Sequence, residues 1–151
     1  MPEIEVERTI CAPLDTVYAL AKDIERFPEF MDDVEEVVVL ERQGSRTISR
    51  WVGVVKQFNR KIEWTERDEW DDEAHVCRFA QVEGDYSKYE GVWSFEEAQG
   101  KTRVKLRIEV EIDVPLIGPL LKTVIARLVR ANCERMLDGL AREAEAAAEG
   151  G

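Results

Sequence analysis

The chain has 151 residues, of which 44% are hydrophobic and 35% charged, and its formal net charge is −11. This length and hydrophobic content predict one compact domain over residues 1–147 and a frayed tail over residues 148–151. The strong negative charge repels phosphate backbones, so we expect no nucleic acid as the main partner.

The first predicted element is a strand over residues 3–10, where apolar side chains alternate with glutamates. A repeat of two places the apolar residues on one face of a strand. Residues 14–22 then read as a short helix. Residues 24–31 read as a second short helix or turn, which Pro28 interrupts.

Six further strands are predicted over residues 34–42, 45–56, 58–70, 74–83, 87–97 and 101–114. Turn-forming residues separate them, as at Gln43 and Gly44. The last strand alternates most strictly, with apolar residues from Val104 to Val114 on one side and charged residues on the other. Such alternation is typical of an antiparallel sheet with one solvated face.

A long helix is predicted over residues 119–147, and it is the one long helix available to cover the apolar face of the sheet. Its apolar stripe consists of Leu120, Leu121, Val124, Ile125, Leu128, Val129, Met136, Leu137 and Leu140. The elements together predict an α+β fold, with a seven-stranded antiparallel sheet and two short helices after the first strand. A twisted sheet and a cylindrical helix differ in shape, which hints at a ligand pocket between them.

The sequence argues against a membrane span and a secretory signal. The longest apolar run, residues 116–129, contains Lys122 and Arg127 and is shorter than the roughly 20 residues of a span. The N-terminal segment is acidic, which is the wrong chemistry for a signal peptide. We therefore expect a cytoplasmic protein without stable membrane insertion. Whether the run 116–129 forms a lid or a homodimer face is left open.

The sequence does not contain the residue sets typical of a metal site, a disulfide framework or a catalytic triad. His75 is the only histidine, so any Ser/His/Asp or Cys/His site would have to use it. Cys11, Cys77 and Cys133 are odd in number and widely spaced, unlike a disulfide framework. His75 and Cys77 make at most half of a zinc site. We expect no metal and no cofactor.

Polar residues interrupt two aromatic strand faces and the helix stripe. Arg60 shares a face with Phe58, Ile62 and Trp64, where burial is unfavourable unless the guanidinium is paired or hydrated. Tyr89, Gly91, Trp93 and Phe95 share another face, which the sequence alone allows to be either core or ligand contact. Asn132 lies in the apolar stripe of the helix, where its amide needs a ligand, a water or a neighbouring protein group.

The remaining candidate functional residues are two carboxylates and a row of basic side chains. Glu66 and Asp68 continue the face of Trp64 and could act as general acid and base only if buried; a solvated rim is the expectation. Lys101, Arg103, Lys105 and Arg107 alternate along the last strand and read as its solvated face.

Three segments carry a resemblance to a known superfamily. They are residues 23–30 (Asp-Ile-Glu-Arg-Phe-Pro-Glu-Phe), 91–95 (Gly-Val-Trp-Ser-Phe) and 130–135 (Arg-Ala-Asn-Cys-Glu-Arg). Together with the opening strand, they make the chain resemble the START-like, helix-grip superfamily. The resemblance is to its polyketide cyclase/dehydrase and coenzyme Q-binding branch.

This resemblance implies a helix-grip fold, with a curved sheet wrapped around the C-terminal helix and a hydrophobic small molecule held between them. It places Phe27, Trp64 and Asn132 at that cavity. Residues predicted to bind the ligand are Phe27, Phe30, Arg60, Trp64, Tyr89, Trp93, Leu128 and Asn132.

Departures from the resembled cyclases favour binding over catalysis. The positions aligned with a cavity arginine and its polar companion are Asp68 and Gln81, which favours a binding or carrier protein for a quinone, polyketide or lipid. The alternative is an aromatase/cyclase or dehydratase, in which Arg60 stabilises an enolate and Glu66 or Asp68 moves protons. A third hypothesis, a protein acting on ribosome assembly, requires the bases from Lys101 to Arg107 to be exposed and unpaired.

Overall fold

A computed structural model describes residues 3–55, 60–112 and 119–150 of the protein, without the side chains of 119–122. The elements, in chain order, are β1 (Glu3–Ile10), α1 (Leu14–Lys22), a 3-10 turn (Ile24–Arg26), α2 (Phe27–Phe30), β2 (Val34–Gln43), β3 (Arg46–Val55), β4 (Arg60–Asp71), β5 (Val76–Gly84), β6 (Lys88–Ala98), β7 (Lys101–Glu111) and α3 (Pro119–Gly150). These elements confirm the predicted α+β fold and its seven strands.

The strands form one antiparallel sheet in the order β1-β7-β6-β5-β4-β3-β2. Chain neighbours from β2 to β7 pair directly, while β1 closes the other edge beside β7. The helix α3 packs against β1 and β7 and also contacts α1 and α2. A single layer of sheet is therefore covered on one face by helices.

The two faces of β7 differ as its alternation predicts. Val104, Leu106 and Ile108 are at most 1% exposed and lie in the core. On the opposite face, charged residues of β7 form ion pairs with glutamates of β1. These pairs join Arg103 to Glu7 at 3.0 Å, Lys105 to Glu5 at 3.4 Å and Arg107 to Glu3 at 3.8 Å.

Some predicted boundaries differ from the observed ones or cannot be compared. Helix α3 continues to Gly150, three residues beyond its predicted end, because its last turns are built from the strong helix formers alanine and glutamate. Phe58 and the ends of the strands predicted at residues 58 and 114 lie outside the described residues. So do residues 116–118 of the apolar run and the side chains of 119–122.

Helix α3 approaches α2 closely at Gly139. A Cβ added there would lie 2.2 Å from the backbone oxygen of Phe30 and 3.3 Å from a side-chain carbon of Met31. Only a residue without a side chain fits this crossing. The short helix α2 is thereby held against the second half of α3.

We predict that Gly139→Ala destabilises the protein by about 1–3 kcal/mol because of this overlap. The sign of this change in unfolding free energy is informative, since Gly→Ala inside a helix ordinarily stabilises a protein by roughly 0.5–1 kcal/mol. The measurement is urea denaturation followed by circular dichroism.

Gly150→Ala is the matched control, because no atom lies within 4 Å of a Cβ added at this last turn of α3. We expect it to leave stability almost unchanged. A Gly139→Ala protein as stable as the unaltered one would contradict the close crossing of α2 and α3.

Candidate functional site

A cavity of about 780 Å³ lies between the sheet and the first half of α3. The exposure of the helix changes along its length. Ile125, Leu128 and Val129 are only half-buried and line the cavity. Leu137 and Leu140, in the second half, are at most 2% exposed. The apolar stripe is therefore packed into the core in the second half of the helix and faces the cavity in the first half.

Four aromatic rings form one wall of the cavity. Trp51 on β3 and Trp64 on β4 are paired in register and stack with centroids 5.8 Å apart and planes 10° apart. Tyr86 and Tyr89 stack on each other at 4.5 Å and 17°. Trp64 contacts both tyrosines, at centroid distances of 5.4 Å and 5.2 Å. We call these four residues the aromatic wall.

Both indole N–H groups of the aromatic wall are bonded to polar side chains further along the same two strands. Trp64 donates from Nε1 to Glu66 Oε1 at 2.8 Å. Trp51 donates from Nε1 to Ser49 Oγ at 2.9 Å, and Ser49 donates onward to Asp68 Oδ2 at 2.7 Å. The tryptophans therefore have their donors satisfied within the protein, and their rings line the cavity.

Glu66 and Asp68 are buried, at 4% and 3% exposure, so the expectation of a solvated rim is wrong. The inward face of β4 continues from Trp64 into the core, where Ser49 and Thr47 on β3 donate hydrogen bonds to Asp68. These partners, supplied by the strand register, make burial of the carboxyls tolerable.

Burial and the neighbouring Asp68 carboxylate raise the pKa of Glu66 well above its ordinary value of 4.5. The fold therefore favours the protonated form of Glu66, which can donate a hydrogen bond to Asp68. Neither carboxyl belongs to the described cavity lining. The acid pair lies further along the strands than the two tryptophans, away from the cavity.

The polar part of the lining comes from α3, β4 and the segments beside them. Asn132 is half-buried in the lining. Arg60 lines the cavity at the start of β4 and is exposed, so the unfavourable burial considered for it does not arise. Arg135 on α3 forms an ion pair with Asp33, which is 1% exposed. This pair joins the helix to the residue that precedes β2.

The structure brings Arg60, Trp64, Tyr89, Leu128 and Asn132 together in the cavity lining. Whether any of them binds a ligand stays a prediction.

The other three residues predicted to bind the ligand lie elsewhere. Phe27 packs against Trp51 at 5.7 Å and Phe30 packs against Phe27 at 5.8 Å, so both support the aromatic wall from outside the described lining. Trp93 stacks on Phe95 at 6.2 Å and is also outside that lining. Tyr89 and Trp93 share a strand face, as predicted, but the cavity extends along only one end of it.

Several lining residues received no role from the sequence. Trp51 pairs with Trp64 through strand register, which periodicity alone does not reveal. Tyr86 lies in the turn after β5, where no periodicity marks it. Asp33 and Arg135 are 102 positions apart, and no local pattern connects them.

Residues 10–137 match the family described as polyketide cyclase/dehydrase and lipid transport. The chain belongs to that family. A relative from Streptomyces cyaneus, which carries the name "Putative polyketide cyclase", is 31% identical over 101 residues, or 66% of each chain.

This polyketide cyclase/dehydrase family member is similar to several solved structures. A protein from Thermus thermophilus is 42% identical with a TM-score of 0.92, over 97% of this chain and 99% of that one. The Zhui aromatase/cyclase from Streptomyces sp. R1128 is 20% identical with a TM-score of 0.88, over 95% and 93%. The second likeness shows the fold alone. Among the described residues, no helix is long and apolar enough to cross a membrane.

We predict that the stability of this family member falls as pH rises from 5 to 8, in part because of Glu66. The folded protein keeps a proton on Glu66 that the unfolded chain loses near pH 4.5, so rising pH favours unfolding. Glu66→Gln mimics the protonated form, since its amide can donate to Asp68 and accept from Trp64. We expect the variant to be more stable at pH 8 by about 1 kcal/mol or more.

The measurement is the free energy of unfolding in urea at several pH values, compared between the variant and the unaltered protein. Glu97→Gln, at an exposed position of β6, removes one negative charge without touching the buried pair. It is expected to follow the unaltered protein at every pH. A Glu66→Gln protein that is less stable at pH 8 would contradict the raised pKa of Glu66.

Proposed function

We propose that this protein binds a hydrophobic, ring-containing small molecule, such as a quinone, polyketide or lipid, in the cavity under α3. The aromatic wall carries this proposal, because flat rings stack favourably on the faces of tryptophan and tyrosine. The cavity volume of about 780 Å³ lies within the usual range of ligand pockets. Burial of apolar ligand surface contributes roughly 25 cal/mol per Å².

Polar ends of the ligand are assigned to Arg60 and Asn132. Asn132 can donate to a carbonyl or accept from a hydroxyl, and its half-buried position in the lining strengthens such a bond. Arg60 is exposed at the start of β4, where it can meet a carbonyl or anionic group near solvent. The ligand proposed here therefore combines an apolar ring system with a few oxygen substituents.

Binding rather than catalysis is supported by the placement of the acids. The candidate acid and base, Glu66 and Asp68, bond to residues of the sheet and lie outside the described lining. The two acids in that lining are engaged as well. Asp33 pairs with Arg135, and Asp85 accepts a hydrogen bond from the backbone N–H of Glu63.

An aromatase/cyclase or dehydratase activity is the second candidate. Arg60 and Asn132 favour it, since both line the cavity and either can polarise a substrate carbonyl. The two functions differ in one observable. A cyclase changes the product pattern of a nascent poly-β-ketone, and Arg60→Ala abolishes the change, whereas a carrier leaves the pattern as it was.

The ribosome-assembly hypothesis receives little support from the charges of the last strand. It requires unpaired bases there, but three of the four, Arg103, Lys105 and Arg107, each pair with a glutamate of β1. Lys101 adds one exposed base to a chain of net charge −11, which offers little attraction to RNA.

We predict saturable, micromolar quenching of tryptophan fluorescence by at least one class among long-tailed quinones, aromatic polyketides and fatty acids. Trp51 and Trp64 line the cavity and report directly on an occupant. Leu128→Trp places a large ring in the cavity and is expected to weaken binding at least tenfold, or by about 1.4 kcal/mol.

Val124→Trp is the control on the same helix, because Val124 is 39% exposed and outside the described lining. Since both variants add a fluorophore, their affinities are compared by isothermal titration calorimetry. Equal affinity in the two variants would place the binding site elsewhere, and the absence of binding to every class would refute the proposal.

We also predict that Asn132→Ala weakens binding of 9,10-anthraquinone about fivefold, which corresponds to one ordinary hydrogen bond of about 1 kcal/mol. Anthracene has the same three rings without carbonyls, and its affinity is expected to stay the same. Calorimetric titration with both compounds separates the polar contact from ring stacking. If the two affinities fall equally, Asn132 acts through the shape of the cavity instead.

A further inference from the structure

The wall residue Tyr86 comes from an irregular segment, unlike its three neighbours. Trp51, Trp64 and Tyr89 lie on strands, whose ladder hydrogen bonds fix their positions. Tyr86 follows the end of β5 at Gly84 and precedes β6. Its ring nevertheless stacks on Tyr89 and meets the edge of Trp64. Bonds other than the ladder must therefore hold it in place.

The ends of this segment are tied to neighbouring strands. Asp85 donates its backbone N–H to the oxygen of Glu63 at 2.9 Å, and Glu63 donates back to Asp85 Oδ2 at 2.8 Å. Ser87 donates its backbone N–H to the oxygen of Glu111 at 2.7 Å. The chain on either side of Tyr86 is thus anchored to β4 and β7.

Gly84 lets the segment approach the aromatic wall. Its φ of +148° is a conformation that residues with a Cβ rarely adopt. A Cβ there would lie 2.5 Å from both Cα and Cβ of Trp64. The backbone entering the segment is therefore pressed against the backbone of Trp64.

Gln81 holds Tyr86 itself, through two hydrogen bonds to its backbone. The amide Nε2 of Gln81 donates to the Tyr86 oxygen at 2.8 Å, and the Tyr86 N–H donates to Oε1 at 3.2 Å. One side-chain amide thus takes the place of a neighbouring strand. The register pairs between β5 and β6 end at Ala80 and Glu90, one residue before Gln81.

We propose that Tyr86 determines the size of the ring system that the cavity accepts, and that Gln81 is the positioning residue that fixes Tyr86. This inference rests on the proposed function, since it concerns the same cavity. Gln81 is outside the described lining and acts through Tyr86. If the two bonds are lost, the ring leaves its place against Tyr89 and Trp64, and the cavity lengthens toward the β5–β6 turn.

The test measures the affinities of three ketones that do not react with thiols: 1-tetralone, 9,10-anthraquinone and 5,12-naphthacenequinone, with two, three and four rings. Calorimetry gives each Kd, and the readout is the ratio of the affinities for the four-ring and two-ring ligands. We expect Tyr86→Ala to raise this ratio about tenfold and Gln81→Met to raise it about threefold. Gln81→Glu keeps the acceptor for the Tyr86 N–H and should shift the ratio less than Gln81→Met.

Gln43→Met is the matched control, because Gln43 is exposed on β2. It should leave the ratio unchanged. A variant that is only destabilised should bind all three ligands more weakly by a similar factor. A change in the ratio of affinities therefore indicates that Gln81 positions Tyr86 and does not merely stabilise the fold. Urea denaturation verifies that each variant is folded.

Each remaining outcome counts against the inference in a distinct way. If the unaltered protein binds the ligands but Tyr86→Ala leaves the affinity ratio unchanged, the inference is overturned while the proposed function stands. If Tyr86→Ala changes the ratio and neither Gln81 variant does, Gln81 is not the positioning residue. If both Gln81 variants fail to fold, Gln81 is needed for the fold and its role as a positioning residue is refuted. No binding by the unaltered protein overturns the proposed function together with this inference.

Discussion

The pairing of Trp51 with Trp64 divides one face of the sheet into two environments, and the rest of the site depends on it. On one side lies the apolar cavity; on the other lie Glu66 and Asp68, both buried. A carboxylate beside an open apolar cavity would attract water, whereas here the acids receive hydrogen bonds from the sheet. The indoles belong to both environments, because each contributes a ring to the wall and an N–H to the polar cluster.

Helix α3 shows the same division along its length. Its second half packs closely enough that Gly139 touches the backbone of α2. In its first half, Ile125, Leu128 and Val129 stay half-buried over the cavity. One uniform apolar stripe thus serves two purposes, and the difference arises from what lies opposite. The tightly packed half anchors the helix, while the other half makes fewer core contacts, such as those of Val129 and Cys133, and covers the cavity.

The fold was predictable from the sequence because both kinds of element carry strong periodicity. Alternation in β7 and the stripe of α3 identified their faces directly. The environment of each face depends on partners that periodicity does not provide. Glu66 and Asp68 were placed on the correct face of β4, but their burial follows from Ser49 and Thr47 arriving opposite them through strand register. Likewise, nothing in the spacing of Tyr89 and Trp93 shows where the cavity ends along β6.

The candidate site was predictable where it is built from regular elements and hidden where it is not. Trp64, Tyr89, Leu128 and Asn132 lie on strands or on α3, where periodicity predicts the face that each occupies, and all four line the cavity. Tyr86 sits in a segment held by side-chain bonds, for which sequence offers no repeat.

The fully bonded indoles have a consequence for how an occupant would be oriented. Since their N–H groups are used within the sheet, the tryptophans present ring faces without directional donors. Stacking on such a surface tolerates rotation of a flat ligand about the axis normal to its plane, and it tolerates sliding along the wall. Under the proposed function, orientation would then be decided by polar groups elsewhere in the lining, Arg60 and the amide of Asn132. A protein built this way can accept several isomeric ring skeletons and still select the position of one oxygen atom.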